Sequence, residues 1–113
     1  MAQIEELYID QNSSFEYLVE IDNPTGGNFD LTSYPAKAQL RRSYKTTSKV
    51  DFAVSYLGDP SLGQIKVALT PAQTGALKHG SYVWDIIIEG AGGDAYRVVE
   101  GIAYVEPGVT ALS

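Results

Sequence analysis

Apolar and polar residues alternate with period two wherever this chain is apolar. This feature most narrows its possible folds, because a strand sends successive side chains to opposite faces and a helix does not. In "FEYLVEID", Phe15, Tyr17, Val19 and Ile21 fall on one face and Glu16, Glu20 and Asp22 on the other, with Leu18 the exception. "AKAQLRR" sets Ala36, Ala38 and Leu40 against Lys37, Gln39 and Arg41, and "VDFAVSY" sets Phe52, Val54 and Tyr56 against Asp51, Ala53 and Ser55. "QIKVAL" repeats the form with Ile65, Val67 and Leu69. In "SYVWDIIIE", Tyr82, Trp84, Ile86 and Ile88 share a face while Val83 and Ile87 populate the other, as in a central strand partly covered on both sides. "AYRVVEGIAYVE" alternates up to Glu100-Gly101, where a glycine inside a strand signals a bulge and a change of face. With "IEELYI" at the start, seven strands are expected.

Turn chemistry separates them: "DNPTGGN" at 22–28, "GDPSLG" at 58–63 and "GAGGD" at 90–94 supply the residues that tight backbone requires. The one helical signal is "LTPAQTGALKHG". Thr70 can cap, Pro71 fits the first helical position and Gln73 completes a capping box, so a short helix is expected over 71–78, weakened by Gly75 and ended by Gly80. A single sheet of seven strands would leave one face uncovered. The expected fold class is therefore all-β, an antiparallel sandwich with the short helix on the crossover between the fifth and sixth strands. With 113 residues and 44% hydrophobic content, the chain can build one core, so residues 1–113 are expected to form a single domain.

Composition closes several functional classes. There is no cysteine, which removes disulfides, thiolate catalysis and thiolate metal sites. Fourteen acids against eight bases give a formal charge of −6, contrary to phosphate-backbone binding; the basic residues Lys37, Arg41, Arg42, Lys45 and Lys49 balance neighbouring carboxylates. No nucleic-acid or membrane partner is expected, and the acidic "MAQIEELYID" has the character of a leaderless start.

His79, Ser81 and Asp85 are the only set resembling a nucleophile, base and orienter. On a strand, Ser81 and Asp85 lie about 13 Å apart, and His79 belongs to the preceding turn, so no catalytic residue is assigned and an exposed histidine near a helix end is the expectation. Glu16 and Glu20 fall on the wet face of a strand. Asp22, Asn23, Asn28 and Asp30 lack the spacing of a calcium loop, and "GAGGD" lacks the lysine and helix of a phosphate loop. Neither metal nor cofactor is expected. Of the eight tyrosines, those at 17, 56, 82 and 104 align with inward positions, whereas Tyr34, Tyr44 and Tyr96 are candidates for partner contact.

"LKHGSY" has the form Leu-x-x-Gly-x-Tyr. In immunoglobulin-like (Ig-like) sandwiches, a tyrosine at the start of the sixth strand sends its hydroxyl back to an upstream backbone group. Leu77 would then plug the core, Gly80 permit the reversal and Tyr82 lock it. Four segments, "FDLTSYPAKAQLRRSY" at 29–44, "LGQIKVALTPAQTGAL" at 62–77, "GSYVWDIIIE" at 80–89 and "YRVVEGIAYVEPGVT" at 96–110, come in the order found in a class of small Ig-like β-sandwich proteins of tailed bacteriophages, which the chain resembles. The resemblance implies a non-enzymatic virion structural protein. It would be made in the host cytoplasm and assembled in many copies with itself or with other virion proteins of a tail, baseplate, neck or capsid-decorating position. "IEELYI" and "EPGVTALS" are the candidate edges or arms for such contacts. The alternative is an Ig-like module recognising a carbohydrate or host-surface ligand through loops 22–30 and 43–49.

Overall fold

The computed structural model describes residues 3–21, 31, 34–43, 45, 49–59, 63–90 and 93–108. Within them the strands are β1 (Gln3–Ile4), β2 (Leu7–Asp10), β3 (Phe15–Glu20), β4 (Ala36–Arg41), β5 (Val50–Asp51), β6 (Ala53–Tyr56), β7 (Gln64–Leu69), β8 (Gly80–Glu89) and β9 (Ala95–Glu106), with helix α1 (Pro71–Ala76) between β7 and β8. The larger sheet runs β1-β9-β8-β4-β5, with β2 also on β9, and the smaller runs β3-β7-β6. These are the two sheets of an Ig-like sandwich, β3, β7 and β6 in one and β4, β8 and β9 in the other. The inward residues expected from the alternation form the core: Val19, Ile21, Leu40, Ile65, Val67, Trp84, Ile86 and Ile88 are all buried.

The first strand departs from an all-antiparallel design. Both β1 and β2 run parallel to β9, and Leu7 and Ile9 seal the core at that margin, each fully buried. The strand expected over 50–56 is divided at Phe52. Val50 and Asp51 pair with β4, while Ala53–Tyr56 pair with β7 in the other sheet, so the chain changes sheets at this residue. The Phe52 ring turns into the core, 5.9 Å from Trp84 and 6.3 Å from Phe15. Tyr17 on β3 meets Trp84 on β8 edge to face at 6.4 Å. Four aromatic rings thus bridge the two sheets.

The bulge expected at Glu100-Gly101 lies earlier. Ile86 pairs with Val99 but Ile87 with Arg97, leaving Val98 as the extra residue. Gly101 meets a different demand: a side chain there would collide with the backbone of Glu5. The Glu5 amide donates to the Glu100 carbonyl at 3.0 Å, and its own carbonyl accepts from the Trp84 indole at 3.0 Å. The break between β1 and β2 therefore sits directly over this glycine, a close backbone approach rather than a bulge.

The helix is shorter than expected. Its capping box is complete, with Gln73 N donating to Thr70 Oγ1 at 3.2 Å and Thr70 N donating to Gln73 Oε1 at 2.9 Å. Thr74 is fully buried and donates to the Ser13 carbonyl at 2.8 Å. Leu77 is already extended, at φ −81° and ψ 134°, so Gly80 does not end the helix. Gly80, at φ +130°, opens β8 instead.

Candidate docking surface

The position of the β9 bulge decides what the larger sheet shows to solvent. Beyond Val98, odd-numbered residues face inward, and Val99, Ala103 and Val105 are buried. Ile102 and Tyr104 consequently face out, which corrects the inward placement expected for Tyr104. The Tyr104 ring stacks on Tyr8 at 5.4 Å and 20°. Ile4, Tyr8 and Ile102 are 69%, 62% and 43% exposed, a density of apolar and aromatic surface that a lone sheet face has no reason to keep wet. Val83 and Ile87 of β8 continue this patch and are half-buried.

Charged residues frame it. Arg97 Nε lies 3.2 Å from Asp85 Oδ2 and its Nη1 lies 3.6 Å from Glu100 Oε2, while Lys37 pairs with Glu89 at 3.6 Å. These side chains are substantially exposed, so the pairs organise the surface more than they stabilise the fold. A shallow groove of about 280 Å³ runs between Gln39, Arg41, Val83, Asp85, Ile87 and Arg97. At the opposite margin, the Tyr8 hydroxyl donates to the Glu6 carboxylate at 2.9 Å. That hydrogen bond and the carboxylate's charge hold the Tyr8 phenol above its ordinary value.

The residues singled out from the sequence lie elsewhere. The Tyr82 hydroxyl donates to the Lys78 carbonyl at 2.7 Å, and Leu77 and the Tyr82 ring are buried. Two further residues clamp this crossover. Gln11 Nε2 donates to the Leu77 carbonyl at 2.6 Å, and the Arg42 guanidinium lies 4.8 Å from the Tyr82 ring centroid while donating to the His79 carbonyl at 3.4 Å. A side chain at Gly80 would strike that guanidinium. Arg42 directly follows the last residue of β4, the only sign in the sequence that it reaches the corner.

His79 is exposed, Ser81 lies on the outer face opposite Tyr104, and Asp85 is held by Arg97, so the three are dispersed. Glu16 is exposed and paired with Lys66 at 3.2 Å, and Glu20 is exposed on the same strand. Tyr34 packs partly against the core, with its carbonyl accepting from the Tyr56 hydroxyl at 2.9 Å; Tyr96 is 51% exposed. Tyr44, loop 22–30, most of loop 43–49 and residues 109–113 lie outside the described residues. Among the described residues, no group of histidine and acidic side chains converges on a metal position, and no helix is long and apolar enough to cross a membrane.

No protein-family model matches the chain, and no curated protein matches it in sequence. The chain is similar to solved structures at low sequence identity. One is a chain in the crystal structure of ICOS in complex with ICOS-L and an anti ICOS-L VNAR domain, with TM-score 0.51 and 16% identity, covering 93% of this chain and 56% of that one. Another is the SrpA adhesin R347E mutant from Streptococcus sanguinis, with TM-score 0.49 and 12% identity over 95% of this chain and 56% of that one. This chain therefore spans 56% of the length of each. The likeness to the ICOS complex shows the fold alone: the chain is an Ig-like β-sandwich.

Proposed function

We propose that this chain is a non-catalytic docking module of a bacteriophage particle, joining neighbouring protein subunits through the outer face of its larger sheet. The observation that carries the proposal is the exposed group of Ile4, Tyr8 and Ile102 on a hydrogen-bonded, rigid sheet. A sheet face cannot retract such residues, and a protein partner is the surface that covers them with little loss of side-chain freedom. The dispersal of His79, Ser81 and Asp85 supports a binding role over a catalytic one. The segments at 29–44, 62–77, 80–89 and 96–110 support the phage setting through their resemblance to virion proteins.

Mass spectrometry of purified particles of the encoding virus tests both parts of the proposal. The chain is expected in many copies per particle, and an Ile102→Asp variant that melts like the wild type is expected to be lost from them. Absence of the chain from particles overturns the virion assignment, and incorporation of the variant at wild-type levels overturns the docking face.

A further inference from the structure

The outer face of the larger sheet is chemically complementary to itself. Strand register sets Arg41 beside Val83 and Val83 beside Ile102. The pairing of Leu7 with Ala103 carries Glu6 to the place beside Ile102, and the hydrogen bond from Tyr8 keeps the Glu6 carboxylate on the outer side. One row across four strands thus reads basic, apolar, apolar, acidic. When a second copy is turned over about a twofold axis running along the strands between β8 and β9, the row falls on itself in reverse. Arg41 then lies over Glu6 of the second copy, and Val83 over its Ile102. A twofold axis across the strands would set Arg41 on Arg41 and Glu6 on Glu6, so the charges select one orientation.

The next row reads Gln39, Asp85, Glu100 and Ile4, and the same axis lays Asp85 over Glu100 of the second copy. Arg97 is held to both carboxylates, so each of these meetings has a cation beside it. Over this part of β1, β2, β9, β8 and β4, the three cations Lys37, Arg41 and Arg97 stand against the four carboxylates of Glu6, Asp85, Glu89 and Glu100, which leaves a single net negative charge. On a chain of formal charge −6, this is a nearly balanced surface, where two acidic molecules approach with little local repulsion. Strands about 4.8 Å apart and about ten residues long give roughly 600 Å² of flat area per copy, the order of the ~800 Å² per partner in a standard interface.

Pairing along the open edge of β3 is disfavoured by comparison. Ile21 N donates to the Gly63 carbonyl, so in the antiparallel β3–β7 pair the backbone groups of Glu16, Leu18 and Glu20 point away from β7. Two copies joined there about Leu18 would set Glu16 opposite Glu20.

We propose that the outer face of the larger sheet binds a second copy of this chain, face to face, with Arg41 of each copy paired to Glu6 of the other. This rests on the docking reading above and names its partner. Sedimentation equilibrium from micromolar to millimolar concentration, at about 0.1 M salt, is the test for wild type, Arg41→Glu, Glu6→Arg and the double reversal. The wild type is expected to dimerise. Each single reversal sets like charges opposite and is expected to weaken the dimer at least tenfold, and the double reversal is expected to restore it. A monomeric wild type at millimolar concentration, single variants that dimerise normally, or a double variant as weak as the singles would each overturn the proposal.

Cross-linking decides the matter without relying on the folding of the charge variants, since the chain has no cysteine of its own. A mixture of Val83→Cys and Ile102→Cys chains is expected to form disulfide dimers faster than either alone, and equal rates refute the geometry. A wild type that stays monomeric while Ile102→Asp is still lost from particles sinks the homodimer and leaves the docking reading standing. Normal incorporation of Ile102→Asp sinks the docking reading itself.

Discussion

Replacing Tyr82 by phenylalanine deletes one oxygen atom and with it the hydrogen bond that ties the start of β8 to the Lys78 carbonyl, 2.7 Å away. The ring stays buried and keeps its shape, so no cavity opens. Lys78 is exposed, and its carbonyl can take a water in place of the lost donor, which spares the penalty of an orphaned buried acceptor. The cost should therefore be that of one ordinary hydrogen bond, about 1 kcal/mol. For a chain of 113 residues the unfolding entropy converts this into a fall in Tm of about 4 °C. Thermal and urea unfolding followed by circular dichroism measure it, with the urea m-value unchanged because the surface exposed on unfolding is the same. Arg42→Ala supplies a control: it removes the guanidinium from the Tyr82 ring face, which phenylalanine would still offer, so the two changes should add to within about 0.5 kcal/mol. A Tm within 1 °C of the wild type for Tyr82→Phe would refute the idea that this hydroxyl holds the crossover.

Gly101→Ala drives a methyl group into the Glu5 backbone and should cost about 1–3 kcal/mol, with the Trp84 fluorescence shifted as its indole loses the Glu5 carbonyl. Unchanged stability and emission would mean that β1 and β2 do not lie where Gly101 admits them. Thr70→Ala removes the hydroxyl that accepts from Gln73 N, leaves the backbone half of the capping box in place and should lower stability by about 1 kcal/mol in the same unfolding assays; no loss would mean that α1 holds without this cap. Tyr8, read by ultraviolet absorbance during alkaline titration, should ionise above the ordinary tyrosine value of 10.0, and Glu6→Gln should bring it down. Because the shift is upward, the stability linked to it is fully present below the ordinary value and is lost as pH rises through the folded one. Indistinguishable titrations of the two proteins would remove Glu6 as the cause.

The strands were legible because a period of two leaves few alternatives once Val19, Ile21, Ile65, Val67, Ile86 and Ile88 must share a core. The crossover was legible for a related reason: a capping box, a glycine and a tyrosine at fixed spacing act locally, and local chemistry survives without knowledge of the fold. What sequence could not supply was phase. In "RVVE" two valines stand side by side, either fits an inward position, and the bulge at Val98 settles the choice only through its register with Ile86 and Ile87. That uncertainty turned Tyr104 inward on paper and hid the face on which it stacks with Tyr8. Gly101 was misread for the opposite reason: its constraint comes from Glu5 at the far end of the chain, which no local pattern records. The row from Arg41 to Glu6 spans four strands and exists only once every register is known.

Trp84 stands two residues after the corner tyrosine, the place where antibody-type sandwiches carry the second cysteine of their inter-sheet disulfide. Here an indole reaches across to Tyr17 and Phe52 and pins the sheets without a covalent bond. The pin closes as the core closes. No oxidant or disulfide exchange stands between synthesis and the native state, so folding need not wait on chemistry that takes seconds to hours. Reducing agents should leave the melting curve untouched. Maturation then keeps pace with translation and is the same in a reducing setting as in an oxidising one.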